Sequence, residues 1–169
     1  VRSLPDLGST FGLTIPIAKA KDVAEPVRSL APASEELSFD GTKVLVIDDD
    51  PLARHGLGAL MGSWGCLIRM EIGDIDLPAR LAKTGFIPAM VISDLRLVGG
   101  LSGLDLIARL RSELGSEIPA IVITGDTDPA TLRSVTDAGL PVLQKPVRPA
   151  QLRVLVRNLL RGGVSAMRD

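Results

Sequence analysis

The chain has 169 residues, 46% of them hydrophobic, and its 19 basic and 20 acidic side chains leave a formal net charge of −1. This size suits one compact domain with an additional piece, and the near-neutral charge excludes the broad basic surface that nucleic-acid binding requires. Because there is one cysteine, Cys66, and no apolar run near the ~20 residues of a membrane span, we expect a soluble cytoplasmic protein without direct membrane contact.

The first 40 residues precede the main pattern of the chain. Phe11, Leu13 and Ile15 alternate with small or polar neighbours, as in a half-buried strand. Nothing nearby could bury the apolar face of that strand independently. Residues 18–40 are rich in alanine, proline, serine and charged side chains, and two prolines break any long helix. This stretch is therefore predicted to be a linker.

From residue 41 onward, short apolar runs alternate with helical patterns. Such an alternation predicts an α/β fold in which helices cover both faces of a parallel sheet. Pro51 after Asp50 and Pro129 after Asp128 are typical of helix N-termini, where an aspartate caps the first turn. The five predicted strands are residues 43–47, 66–70, 90–94, 120–123 and 141–144. The five predicted helices are residues 51–62, 76–83, 103–114, 129–138 and 149–160.

Polar residues stand where four of these strands end. In an open parallel sheet, ligands bind in the crevice at the carboxyl ends of the strands, so we expect these side chains to converge. Carboxylates, a hydroxyl and an ammonium would then share one pocket. The residues are Asp48, Asp49 and Asp50 after the first strand, Asp94 at the third, Thr124 at the fourth and Lys145 at the fifth.

This order of elements and strand-end residues resembles the receiver domain of two-component response regulators, over roughly residues 41–161. The resemblance implies a flavodoxin-like, doubly wound, five-stranded parallel sheet of order 2-1-3-4-5 with five helices. The matching positions, in chain order, are the acidic pair Asp48-Asp49, the phosphoacceptor Asp94, the switch hydroxyl Thr124 and the lysine of Lys145-Pro146.

Two carboxylates beside Asp94 favour a bound cation. Two like charges ~4 Å apart at an effective dielectric constant of ~20 repel by about 4 kcal/mol, and a divalent ion turns that cost into a binding site. Mg²⁺ fits best because it prefers oxygen ligands and is usually completed by substrate phosphate. The resemblance implies that Asp48, Asp49, the Asp94 carboxylate and the backbone carbonyl of Arg96 would hold it.

A carboxylate can attack phosphorus and form an aspartyl phosphate, and Asp94 is our candidate for that nucleophile. By resemblance, Lys145 would pair with the phosphoryl oxygens and the Thr124 hydroxyl would move to bond one of them. Positioning and charge neutralisation are the main needs of phosphoryl transfer. Whether the domain also catalyses its own phosphorylation and dephosphorylation stays open.

The sequence departs from the family pattern at several positions. Val142 stands three residues before the lysine, where the family usually has an aromatic residue, and Val98 stands where a proline is common. Gly99-Gly100 lengthen the loop after the phosphoacceptor by about one residue. Arg96 and Asp126 flank the expected path of an attacking water, and we hypothesise an ion pair between them over the site.

Two further segments refine the resemblance. Residues 8–16 look like the closing strand of a histidine-kinase ATP-binding domain, and residues 143–152 are similar to receivers at the C-terminus of hybrid sensor kinases. The implied partners are a histidine kinase phosphodonor domain, in the same parent chain or another, and a histidine phosphotransfer protein. The parent kinase could be anchored in a membrane. The predicted parts are a kinase remnant at 1–17, a linker at 18–40, a receiver at 41–161 and a tail at 162–169.

Other functions remain open at this stage. A phosphohydrolase of the haloacid-dehalogenase type would use Asp48 and Asp50 as its nucleophile pair, with Thr124 and Asp126 in its later motifs. That hypothesis lacks a cap domain and leaves Asp94 without a role. A degenerate receiver that serves only as an interaction module is a third hypothesis, which the intact set of site residues disfavours. Each site residue alone could also be an ordinary turn or cap residue.

Overall fold

The computed structural model divides the chain into two compact units, Val1–Glu36 and Leu37–Asp169. In the first unit, strand β1 (Arg2–Leu4) pairs antiparallel with strand β2 (Gly8–Thr10). The alternating residues of the strand predicted beyond Thr10 lie outside the described residues. The structure describes residues 2–4, 8–10, 12, 38–114 and 117–165.

The second unit is built on a five-stranded sheet in which every neighbouring pair of strands is parallel. The strand order is β4-β3-β5-β6-β7, which is 2-1-3-4-5 when the strands of this unit are counted along the chain. The predicted flavodoxin-like fold is therefore confirmed. The strands are β3 (Lys43–Ile47), β4 (Leu67–Glu71), β5 (Met90–Asp94), β6 (Ala120–Thr124) and β7 (Val142–Gln144).

Five α-helices connect the strands, together with a short 3₁₀ turn at Val98–Gly100. Two of them have the predicted aspartate cap: Asp50 accepts a hydrogen bond from the Leu52 amide at 2.8 Å, and Asp128 accepts one from the Thr131 amide at 3.0 Å. The helices are α1 (Pro51–Ser63), α2 (Leu77–Thr84), α3 (Gly103–Leu114), α4 (Pro129–Asp137) and α5 (Pro149–Ser165).

The sheet has an apolar core on each face. Along β3, Leu45 and Ile47 point to the core that α2 and α3 cover, whereas Val44 and Val46 point to the core under α1 and α5. All four are buried, as expected for a parallel strand covered on both faces.

Several element bounds differ from the prediction by one residue, and the end of α5 differs by five. The second strand of the five-stranded sheet begins at Leu67, because the Cys66 amide still bonds back to Met61 in the turn after α1, at 3.3 Å. Helix α5 continues to Ser165 although Gly162-Gly163 interrupt its apolar pattern. Within the described residues, no helix combines the length and the apolar character that a membrane span would need.

Candidate functional site

The carboxyl ends of four neighbouring strands bring the predicted residues together. Ile47 on β3 pairs with Ser93 on β5, so Asp48 and Asp94 come one step later on adjacent strands. On the other side of β5, Thr124 ends β6 and pairs with Gln144 at the end of β7. The register of the sheet therefore places the acidic pair, the candidate nucleophile, the hydroxyl and the lysine along one edge of the sheet, as the sequence predicted.

Asp48, Asp49 and Asp94 form a cluster of carboxylates. Each offers one oxygen atom, and these atoms lie within 4.8 Å of one another. Asp48 is buried, Asp94 is partly buried and Asp49 is exposed. Three hard oxygen donors at this spacing fit Mg²⁺, which prefers carboxylate oxygens and keeps part of its water shell. Because Asp49 is exposed, the side of the cluster on which it lies has room for the water molecules that the ion would keep.

Lys145 lies against this cluster. Its Nζ donates to Asp48 Oδ2 at 2.9 Å and to Asp94 Oδ2 at 2.6 Å, and its backbone amide donates to the Thr124 carbonyl at 2.8 Å. Burial acts to lower the pKa of Lys145, but its hydrogen bonds to Asp94 and Asp48 and their charges outweigh burial, so the pKa is raised. The ammonium is therefore charged at neutral pH and offsets one of the three carboxylates, which leaves a negative pocket.

The Thr124 hydroxyl is buried and accepts a hydrogen bond from the Asp126 amide at 3.0 Å. The Asp126 carboxylate in turn forms the hypothesised ion pair with the Arg96 guanidinium, which joins the loops after β5 and β6. A hydrogen bond from the Asp128 amide, together with the Arg96 charge, lowers the pKa of Asp126. The Arg96 amide donates to Asp94 Oδ1 at 3.3 Å, and the role of its carbonyl as a metal ligand stays a prediction.

Ser93 and Gly103 support Asp94 and were not predicted. The buried Ser93 hydroxyl donates to the Asp94 carbonyl at 2.8 Å. Gly103, the first residue of α3, packs directly on the same carbonyl, since a Cβ there would lie 2.1 Å from the Asp94 oxygen. The sequence predicts Gly103 only as the start of a helix. Its close approach to Asp94 could not be predicted, because that depends on where α3 crosses the sheet.

Arg54 is a further residue that sequence reasoning missed. Its Nη1 donates to the carbonyl oxygen of Asp48 at 2.5 Å and lies 3.4 Å from that of Asp49. It is half-buried. An arginine on a helical turn carries no sequence signal for such a contact, which depends on how the helix leaves the strand.

The structure shows how the chain accommodates its departures from the family pattern at Val142 and in the loop after Asp94. Val142 is partly buried and packs against the core under α2 and α3, so the position three before the lysine is filled by a small apolar side chain. The longer loop after Asp94 forms the 3₁₀ turn, in which Gly99 has a φ of 71°. The Leu97 amide donates to the Leu101 carbonyl at 3.0 Å, which closes this loop.

Comparison with known proteins matches this chain to a receiver-domain family and to two regulatory proteins. Residues 44–157 match the family model described as the response regulator receiver domain. The chain is 35% identical over 124 residues to the transcriptional regulatory protein AruR of Pseudomonas aeruginosa, covering 70% of this chain and 49% of that protein. It is 26% identical over 157 residues to the phyllosphere-induced regulator PhyR of Methylorubrum extorquens, covering 92% and 55% respectively.

Solved structures share the fold. The crystal structure of the signal receiver domain of a modulated diguanylate cyclase from Desulfovibrio desulfuricans superposes with a TM-score of 0.65 at 23% identity, covering 75% of this chain and 99% of that one. By contrast, the chain spans about half the length of the two curated relatives it matches.

Proposed function

This chain belongs to the response regulator receiver family, and on that basis we propose that it accepts a phosphoryl group on Asp94 in a two-component His-Asp phosphorelay. The observation that carries the proposal is the bridge from Lys145 Nζ to Asp94 and Asp48, at 2.6 and 2.9 Å. A cation held between a candidate nucleophile and an acidic pair is placed to compensate the charge of an incoming phosphoryl group.

Accessibility favours Asp94 over Asp48 as the nucleophile. The Asp48 side chain keeps 1% exposure, and its carboxylate oxygens accept hydrogen bonds from the Asp50 amide at 3.0 Å and from Lys145 at 2.9 Å. The Asp94 carboxylate also accepts two hydrogen bonds, from the Arg96 amide at 3.3 Å and from Lys145 at 2.6 Å, but its side chain keeps 13% exposure. An attacking carboxylate oxygen needs an open approach to phosphorus, and the more exposed Asp94 offers a better one than the buried Asp48.

The proposed transfer forms a bond between an Asp94 oxygen and phosphorus as the bond from phosphorus to the donor histidine nitrogen breaks. Lys145 would exchange its hydrogen bond to Asp94 for one to a phosphoryl oxygen. Among the described residues the Thr124 hydroxyl only accepts a hydrogen bond, from the Asp126 amide, so its own proton could be donated to the phosphoryl group. Mg²⁺ bound by Asp48, Asp49, Asp94 and the Arg96 carbonyl would supply charge neutralisation.

The test is incubation with acetyl phosphate, with and without magnesium, followed by intact-mass analysis. We expect a magnesium-dependent phosphoryl adduct on the wild-type chain and none on Asp94→Asn. Ser134→Ala is a suitable control, because Ser134 is an exposed residue of α4 whose hydroxyl donates to the carbonyl of Thr131 within the same helix. An adduct that persists in Asp94→Asn would refute the assignment of the acceptor.

The other hypotheses predict different outcomes of the same experiment. A haloacid-dehalogenase-type hydrolase would carry the phosphoryl group on Asp48 and release phosphate with turnover. A receiver that is only an interaction module would form no adduct. The burial of Asp48 disfavours the hydrolase, and the charged bridge of Lys145 disfavours the interaction module.

We further propose that the receiver belongs to a hybrid sensor kinase and exchanges phosphoryl groups with a kinase histidine or a phosphotransfer protein in the cytoplasm. The similarity of residues 8–16 to a kinase ATP-binding domain supports this, and the described strand β2 begins at Gly8, the first residue of that stretch. The named relatives AruR and PhyR are regulators, so a regulator is the competing parent. Autophosphorylation of the cellular full-length protein with ATP would support the kinase, and its absence would favour the regulator.

A further inference from the structure

We propose that Arg54 is a positioning residue that holds the acidic pair in the geometry that binds magnesium. The inference rests on the proposed function and assigns Arg54 a part in the same site. Its guanidinium donates to the Asp48 carbonyl at 2.5 Å and approaches the Asp49 carbonyl at 3.4 Å. These carbonyls follow the last residue of β3, where the chain turns away from the sheet into α1.

Asp48 is held on every polar atom. Its amide donates to Glu71 at 3.3 Å, its two carboxylate oxygens accept from the Asp50 amide and from Lys145, and its carbonyl accepts from Arg54. The first three contacts come from the neighbouring strand, the next turn and the far end of the sheet. Arg54 supplies the fourth from α1, and it alone among these partners also reaches toward Asp49. It therefore ties the backbone of the two aspartates to one helix.

The location of Arg54 is unfavourable for the helix itself. Arg54 lies in the first turn of α1, and its amide makes an early helical hydrogen bond, to Asp50. A cation at this end meets the positive pole of the helix dipole, which disfavours it. The contact with the two strand-end carbonyls compensates, because carbonyl oxygens present partial negative charge to the guanidinium. Arg54 thus stabilises the end of β3 rather than α1.

Two roles for Arg54 predict opposite effects on magnesium. If Arg54 acted only through its charge, removing it would strengthen the attraction between the negative pocket and the cation. If it acts by positioning, removing it would loosen the ligands and weaken binding, since partners that orient metal ligands are typically worth about 10-fold or more in affinity. Lysine keeps the charge but not the planar fork, so Arg54→Lys separates the two roles.

The experiment is calorimetric titration of magnesium chloride into the wild-type chain, Arg54→Gln, Arg54→Lys and Arg161→Gln. The last variant is the matched control: Arg161 is exposed near the end of α5, about 18 Å along that helix from its start beside the pocket. We expect the dissociation constant for magnesium to be about 10-fold larger in Arg54→Gln. It should rise by a smaller but measurable factor in Arg54→Lys and change less than two-fold in Arg161→Gln.

Folding is checked by circular dichroism and thermal unfolding of each variant, because lower stability alone does not change the affinity of the folded fraction. If Arg54→Gln does not fold, Arg54→Lys carries the test, and wild-type affinity in that variant would overturn the proposal. Unchanged or tighter binding by folded Arg54→Gln would also overturn it. A wild-type chain that binds no magnesium would refute the metal-dependent function itself, whereas normal wild-type binding with unaffected Arg54 variants would refute only the positioning role.

Discussion

Replacing Gly103 with alanine should damage both the stability and the function of the domain. A Cβ at this position would lie 2.1 Å from the Asp94 carbonyl oxygen and 2.9 Å from Ser93 Oγ. Carbon and oxygen atoms in contact need more than 3 Å, so α3 and the end of β5 must separate by about 1 Å. Overpacking of this kind costs about 1–3 kcal/mol. A displacement of ~1 Å at a reacting group can slow a reaction by about 100-fold.

Gly56→Ala is the matched control. Gly56 lies on the exposed side of α1, and a Cβ there would meet nothing within 4 Å. Alanine is favoured over glycine inside a helix by about 0.5–1 kcal/mol, so this variant should be more stable than wild type. Urea unfolding and the rate of phosphorylation by acetyl phosphate measure both effects. Equal stability and equal rates for the two variants would refute the packing argument.

Three further predictions concern charged residues. Arg96→Ala removes the ion pair with Asp126. Because this opens the pocket to water, the phosphoryl group should be lost several-fold faster. An unchanged dephosphorylation rate would count against any role for the ion pair. Asp49→Asn relieves repulsion within the carboxylate cluster and should raise the metal-free free energy of unfolding by about 1 kcal/mol, with exposure limiting the effect; lower stability in urea would contradict this. A hydrogen bond from Arg80 lowers the pKa of Asp74, so its stabilisation is complete above the unfolded pKa of ~3.9 and is lost as the pH falls through the folded pKa. In Asp74→Asn the free energy of unfolding should therefore fall less steeply than in the wild type as the pH becomes acidic. An unchanged pH dependence would refute the stabilising role of the Asp74–Arg80 contact.

The sheet and the main site residues could be predicted because their signals are local. Each central strand is a short apolar run, such as residues 43–47 and 90–94, and the polar residue that follows it must lie at the same edge of a parallel sheet. The caps at Asp50 and Asp128 depend only on residues one to three positions away. Predictions of this kind need no knowledge of how distant elements pack.

The supporting contacts depend on packing and could not be predicted in the same way. Gly103 meets Asp94 because α3 crosses the sheet at that point, and Arg54 reaches two carbonyls because α1 leaves β3 at a particular angle. Neither residue belongs to a pattern with a fixed spacing. Helix α5 exceeds its prediction because tertiary packing of Leu159 and Leu160 against the core outweighs the low helix propensity of the glycines that follow.

The most direct test of the central claim is to map the phosphorylated residue. After incubation with acetyl phosphate and magnesium, the chain is cleaved and its peptides are examined by tandem mass spectrometry. The account predicts a phosphoryl group on the peptide that contains Asp94, assigned to that residue and absent when magnesium is chelated. A phosphoryl group on Asp48, or no modification of either aspartate under conditions in which the folded chain binds magnesium, would contradict it.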